Sequence, residues 1–311
     1  MTHGTQPTDA ARREFLAASA GFTLAALGST DTALAQAAPR ATPEPSPTPA
    51  AAPGKVALER RGPVLLMGID RPQVQNRADP PIIIGLGKAL HQLEHDDGLR
   101  VGVLHGIGPD FCMGIDPPAF AAAVAAGIIP VKDPDFINVL GLAPPLRSKP
   151  LVIAVQGGTQ FLGHEYFLAA DVRVAATDTV FRQAEVTRGT FPGGGATVRF
   201  PREAGWGNAM RYMLTGDTWD AQEARRMGLA LELTEPGKQL DVAVALATKI
   251  AAAAPLGVRA TLASARQALA ADEATALAAV LPTFTRLQQT EDYKEFQRAV
   301  REGRPAVFRG Q

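Results

Sequence analysis

The apolar positions along the chain change period several times, and each change marks an element. "VALERRGPVLLMGID" (56–70) reads as two short strands joined through Gly62–Pro63. "PPIIIGLGKALHQLEHDD" places Ile83, Leu86, Leu90 and Leu93 at helical spacing, with Pro80–Pro81 at the start and Gly98 beyond the end. "LRVGVLHGIG" predicts a strand running into a glycine-rich loop, and the apolar run "KPLVIAVQG" a strand buried on both faces. "DVRVAA" predicts a further strand, and "TVFRQAEV" the beginning of another ahead of the loop "RGTFPGGGAT". After about Pro201 the pattern is almost entirely helical, as far as "TEDYKEFQRAVREG". Strands that alternate with helices and then give way to a helical tail predict an α/β core with a helical C-terminal region. No fixed-period repeat is present.

One position runs against its pattern. "FLGHEYFLAAD" (161–171) reads as the opening of a buried helix, yet it carries Glu165 with apolar residues close behind. An unpaired buried carboxylate is expensive, and folded chains seldom keep one without a use for it.

Composition narrows the possibilities. The 311 residues include 31 basic and 31 acidic ones, so no global field favours nucleic acid or an anionic membrane. The single cysteine, Cys112, excludes an internal disulfide framework. Beyond the N-terminus nothing approaches the roughly 20 apolar residues of a membrane helix. The N-terminus itself, "ARREFLAASAGFTLAALGS", sets Arg12–Arg13 ahead of a short apolar run, and "ALAQA" follows with small-x-small cleavage sites, most simply after Ala35. Residues 1–35 resemble a twin-arginine export signal, which is read by a receptor and does not anchor the product. The expected location is periplasmic or exported, or cytoplasmic if the signal does not function. Residues 36–54, rich in Pro and Ala, read as an extended spacer.

Several motif matches carry little. "HQLEH" (91–95) fits an H-x-x-E-H zinc pattern, but it lies at the polar end of an amphipathic stretch with no third ligand apparent. No metal site is expected. "GLGKAL" falls inside a helix and lacks the third glycine of a dinucleotide loop. No G-x-S-x-G elbow occurs.

What remains is an ordered series: "DRPQVQNRA", "GIGPDFCMGID", "KPLVIAVQGGTQFLGHEYFLAADVRVAA", "VFRQAEVTRGTFPGGGATVRF" and "LTGDTWDAQEARRMGLA". In this order and at these spacings the chain resembles the crotonase superfamily, in particular the enoyl-CoA hydratase/isomerase family, from about Val56 to Phe308. The resemblance implies a ββα spiral core over 55–233, a helical region over 234–311 used in trimerisation, and a homotrimer or dimer of trimers. It implies an acyl-thioester substrate with coenzyme A as part of that substrate, and no permanently bound cofactor.

The resemblance also implies roles for particular residues. Two backbone N–H groups would face the thioester oxygen as negative charge develops there. The first follows Gly114 of "FCMGID" and belongs to Ile115; the second, at a helix N-terminus, belongs to Leu162, one residue before Gly163. Such a pair is an electrostatic device worth roughly 3–4 kcal/mol per donor. Phe161 and Leu162 stand where the family often has glycine. Glu165 and Glu185 fall on the two carboxylate positions that hydratases use, with alanine in place of proline ahead of Glu185. Arg77, Ala78, Met113, Gly114, Asp116 and Gly163 fall on segments bordering substrate or coenzyme. His164, on another side of the helix from Glu165, is expected to be a pocket or interface residue. Two other readings stay open. One is a coenzyme-independent β-diketone hydrolase, a branch that generally has histidine and aspartate where this chain has Glu185 and Gly194. The other is an inactive binding protein.

Overall fold

The computed structural model describes residues 51–188, 190–270, 286–287 and 289–311. The signal-like segment 1–35, residues 36–50 of the spacer and residues 271–285 of the helical C-terminal region lie outside that description. Pro49–Gln311 clusters as one compact unit.

The chain opens with the hairpin read from its sequence. β1 (Lys55–Arg61) and β2 (Val64–Asp70) pair antiparallel in register from Lys55↔Asp70 to Arg61↔Val64, turning at Gly62 with φ +59°. β3 (Val101–Gly106), β4 (Leu151–Val155), β6 (Val172–Ala176) and β9 (Glu232–Thr234) then add in parallel, giving the order β1-β2-β3-β4-β6-β9. A second sheet takes β5 (Gly158–Gln160), β7 (Val180–Arg182) and β8 (Thr218–Asp220), parallel and then antiparallel.

Strand alternation sorts the core into two layers. Leu65, Met67 and Ile69 of β2 face one apolar cluster, whereas Val64 and Leu66 face another. Helix α1 (Pro80–His95) covers the first layer through Ile82, Leu86, Leu90 and Leu93, with Asp79 capping Ile82 N–H at its start. Ile82 holds the core position read for Ile83; Ile83 is partly buried and lines the site cavity instead. The second layer is closed by α7 (Gln239–Ala251), whose Ala243, Ala247 and Ala251 recur every four residues and let it lie close on the sheet. The region after Leu233 therefore contributes to the sheet's own core, and β8 and β9 interrupt the stretch read as helical. Between them run α2 (Pro117–Ala125), α3 (Leu162–Ala169), α4 (Ala196–Ala204), α5 (Trp206–Thr215) and α6 (Ala221–Arg226); α8 (Pro255–Ala270) and α9 (Glu291–Glu302) follow. No single helix among the described residues is long and apolar enough to cross a membrane.

Candidate active site

The small sheet positions one end of the site. β5 leads directly into α3 through Phe161, whose backbone (φ +53°, ψ −118°) turns the chain so that the helix begins at Leu162. Few residues other than glycine adopt that conformation, and strain of this kind costs of order 1–3 kcal/mol. Phe161 has no side-chain oxygen to cap the helix, so the N–H of Leu162 stays free, as those of the first turn do without a cap. Among the described residues it donates to nothing.

The second free N–H lies on the facing loop, which is clamped on both sides. Cys112 exchanges hydrogen bonds with β5 (Cys112 N–H to Gly158 O, 3.0 Å; Gln160 N–H to Cys112 O, 2.9 Å). Ala78 N–H donates to Gly114 O, and Ala78 O accepts from Asp116 N–H, both at 2.8 Å. Between these bonds the N–H of Ile115 is left without an acceptor among the described residues. Pro117 and Pro118 follow, so the first two positions of α2 bring no competing donor. Gly114 supplies the turn with φ +100°, and the ring of Phe161 packs against it. Gly163 is required for a different reason: a Cβ there would fall on the carbonyl oxygen of Cys112. Glycine lets the loop and the helix approach until both N–H groups open into one space.

A buried charge cluster holds that loop from beneath. Arg71, almost fully buried, donates to Asp116 (2.8 Å) and to Arg77 O (3.0 Å), and lies 3.5 Å from Asp79. Asn76, at φ +53°, accepts Arg71 N–H and donates to the carbonyls of Ile107 and Asp110. Asp116 is thus committed to Arg71 and to capping α2 at Ala119 N–H. Ala78 is a backbone clamp with no exposed surface. Of the residues placed at substrate or coenzyme by sequence, Met113 and Gly114 line the cavity, whereas Arg77, Ala78, Asp116 and Gly163 lie outside its lining.

That cavity, about 690 Å³, is also lined by Ile115, Leu162, Glu165 and Glu185. Its walls are mainly apolar: Ile83, Phe120, Phe136, Val139, Leu140, Leu142, Phe161 and Tyr166 among them. Arg188 stands at the site with its guanidinium 4.1 Å above the Phe161 ring, a cation–π contact.

The two carboxylates are held differently. Glu165 Oε1 accepts N–H from Gly194 (2.6 Å) and Ala196 (3.3 Å), the latter in the first turn of α4. A Cβ on Gly194 would overlap that carboxylate. Burial nevertheless dominates and pushes the Glu165 pKa up to about 7, with the charge of Glu185 adding to the rise. Arg199 supports the turn by donating to Gly194 O at 3.1 Å and to Leu140 O, so it ties the glycine turn to the cavity wall. Glu185 opens a short 3-10 turn, Glu185–Arg188, and Oε1 accepts from Gln183 Nε2 at 2.7 Å. Burial raises its pKa too, against the amide and the Arg188 charge. Its Oε2 has no partner among the described residues.

His164 points away from the cavity. It is fully buried among Phe167, Phe181, Phe200 and Trp219, and belongs neither to the cavity lining nor to the surface. Cys112 is sealed in the core, where burial pushes its thiol up to about 12. The "HQLEH" stretch is occupied otherwise: Glu94 takes hydrogen bonds from the backbone and hydroxyl of Ser148 and from Lys149 N–H.

A strand of the small sheet leading into a helix N-terminus, two free N–H groups facing one cavity, and a buried and a half-buried carboxyl beside them define a crotonase-type enzyme. A family profile described as Enoyl-CoA hydratase/isomerase matches residues 59–311. The chain belongs to the enoyl-CoA hydratase/isomerase family and is an enzyme of that family. It is 32% identical over 270 residues to (E)-benzylidenesuccinyl-CoA hydratase of Thauera aromatica, covering 82% of this chain and 99% of the relative. It is 31% identical over 260 residues to 2,3-dehydroadipyl-CoA hydratase of Escherichia coli, covering 82% and 99%. Among solved structures, a probable enoyl-CoA hydratase/isomerase from Mycobacterium abscessus superposes with a TM-score of 0.79 at 42% identity, over 83% of this chain and 99% of the other.

Proposed function

We propose that the enzyme adds water across the double bond of a 2-enoyl thioester, with coenzyme A as the acyl carrier. The observation that carries this reading is the sharing of one cavity by Glu165, Glu185 and the free N–H groups of Ile115 and Leu162. Both carboxyls have raised proton affinity, and the charge of Glu185 adds to the rise at Glu165, so the pair passes through a singly protonated form as it titrates. The ionised member takes a proton from water as its oxygen attacks the β-carbon. The π electrons move onto the thioester oxygen, where the two N–H groups hold the enolate. The enolate then collapses as the protonated member gives its proton to the α-carbon. One water is added, and the pair ends with its proton exchanged between members. Met113 and Gly114 would border the thioester, and the apolar walls suit a hydrocarbon acyl chain.

The diketone hydrolase reading loses ground on one contact. A side chain at position 194 would overlap the carboxylate of Glu165 where it lies, so an aspartate there would require that carboxylate to move off its Gly194 and Ala196 N–H donors. The test is hydration of 2-enoyl-CoAs of increasing chain length, followed by loss of absorbance of the conjugated double bond. Turnover on at least one is expected. A protein that leaves all of them unchanged but cleaves a cyclic diketone would overturn the proposal.

We also propose assembly as a trimer or dimer of trimers, which light scattering would reveal, and export by the twin-arginine route. Changing Arg12 and Arg13 to lysine is expected to retain the uncut chain in the cytoplasm; unchanged fractionation would refute the export reading.

A further inference from the structure

The core holds a polar chain that the hydration chemistry above does not use. His164 Nδ1 lies 2.6 Å from Gln183 Oε1, and Gln183 Nε2 lies 2.7 Å from Glu185 Oε1. His164 and Gln183 have no exposed surface, and His164 Nε2 has no partner among the described residues. A buried imidazole with one bare nitrogen inside an aromatic box is costly unless its other nitrogen does something specific.

The chemistry of the three groups fixes their orientation. An ionised carboxylate only accepts, so the amide must turn its NH₂ to Glu185 and its oxygen to His164. That oxygen also only accepts, so the imidazole must carry a proton on Nδ1. Burial favours the neutral ring, pushing the His164 pKa down to about 4. Resting on the hydratase reading of Glu185, we propose that His164 is a positioning residue: its Nδ1–H locks the Gln183 amide in the one orientation that donates to Glu185. α3 would then place both carboxylates, Glu165 directly and Glu185 through the preceding residue and a bridging amide.

The other groups around the chain are few. Arg188 on the same turn and Glu165 from α3 act on Glu185, and Arg173 of β6 acts on His164. α5, which packs on the Glu185 turn, brings Arg211 and Tyr212, whose side chains engage Asp217 and Glu223.

The experiment uses the full chain with His164→Phe, His164→Met and His164→Asn. The first two fill the box but cannot donate; Asn carries an N–H near the position of Nδ1. Two readouts are taken. Carboxyl NMR follows the titration of Glu185, and the pH profile of kcat is recorded on an enoyl-CoA that the parent hydrates. Without the donor the amide is free to rotate, so the Glu185 titration and one limb of the profile should move up by about one pH unit, the size of one hydrogen bond to a carboxylate. Asn should restore both toward the parent. In the parent, ¹⁵N NMR should show a neutral imidazole protonated on Nδ1. Titrations of Phe and Met variants that superimpose on the parent would overturn the proposal and leave His164 as packing. The titration requires no turnover, so failure of the hydratase reading and failure of this one are separately visible.

Discussion

The two halves of the site are built from different materials. The N–H half is backbone: two free N–H groups, one glycine at φ +100° and one glycine that admits a carbonyl at close range. The carboxylate half is side chain, and within it Glu165 leans on backbone N–H whereas Glu185 leans on an amide and, behind it, an imidazole. Backbone construction tolerates changes of side chain but not an added Cβ. Side-chain construction is open to gradual adjustment of proton affinity. A change to the first should therefore act by steric displacement, and a change to the second through proton affinity.

The largest effects test the carboxylates themselves. Glu165→Gln and Glu185→Gln should each lower the single-turnover rate by roughly 10²–10⁴-fold, the range of a positioned acid or base, with substrate binding little changed. Full rate in either variant would remove that residue from the mechanism. Gly163→Ala should be nearly as severe, about 10²–10³-fold in kcat if the free N–H groups hold the enolate as proposed, because the added carbon must displace Cys112 O and the loop that carries Ile115 N–H. Rapid-quench kinetics on an enoyl-CoA would distinguish this from a binding defect.

Stability offers a third, smaller contrast. Glu165 holds its proton with a pKa of about 7 in the folded chain against an ordinary 4.5, so the folded state binds more protons between those values and loses stability as pH rises through them. Glu165→Gln should abolish that loss, with a gain of about 2–4 kcal/mol at pH 8 and almost none at pH 4, measured by denaturant unfolding. His164 has the opposite sign. Its folded pKa lies below the ordinary value, so its contribution is present above about pH 6.5 and lost as pH falls toward 4. The smallest effect is expected at Arg199, which acts one bond removed by holding Gly194 O. Arg199→Met should cost about tenfold in kcat, with the Glu165 titration moved upward as a nearby positive charge is removed.

Much of the frame was legible in the sequence. The hairpin, α1 and the buried strand β4 follow directly from period and turn residues, and the positions of Glu165, Glu185, Gly114 and Gly163 follow from the order of the family segments. Three kinds of feature escaped. The core face of α1 was placed one residue off, at Ile83 instead of Ile82, since neighbouring positions on a helix differ by only about 100° and both are isoleucine. β8 and β9 span three residues each, too short for alternation to register. The contacts that hold the site also went unseen: Gly194 to Glu165 across 29 residues, Arg71 to Asp116 across 45, and His164 to Gln183 across 19. Such pairings depend on strand order, which no local pattern encodes. For Gln183 and Arg199 a hint existed in their nearness to Glu185 and to the glycine run, and for His164 in its place beside Glu165, but not in a form that named their partners.

Phe161 carries a consequence for anyone who evolves this enzyme in the laboratory. A library sorted only for resistance to heat should keep Phe161, since an exchange to glycine relaxes the φ +53° turn by about 1–3 kcal/mol but gives up a buried ring worth about 3–5 kcal/mol. The same exchange removes the floor beneath Arg188 and widens the cavity at Phe161. Sorting the library for turnover of a short substrate and of a bulky one would then give two different winners at this single codon.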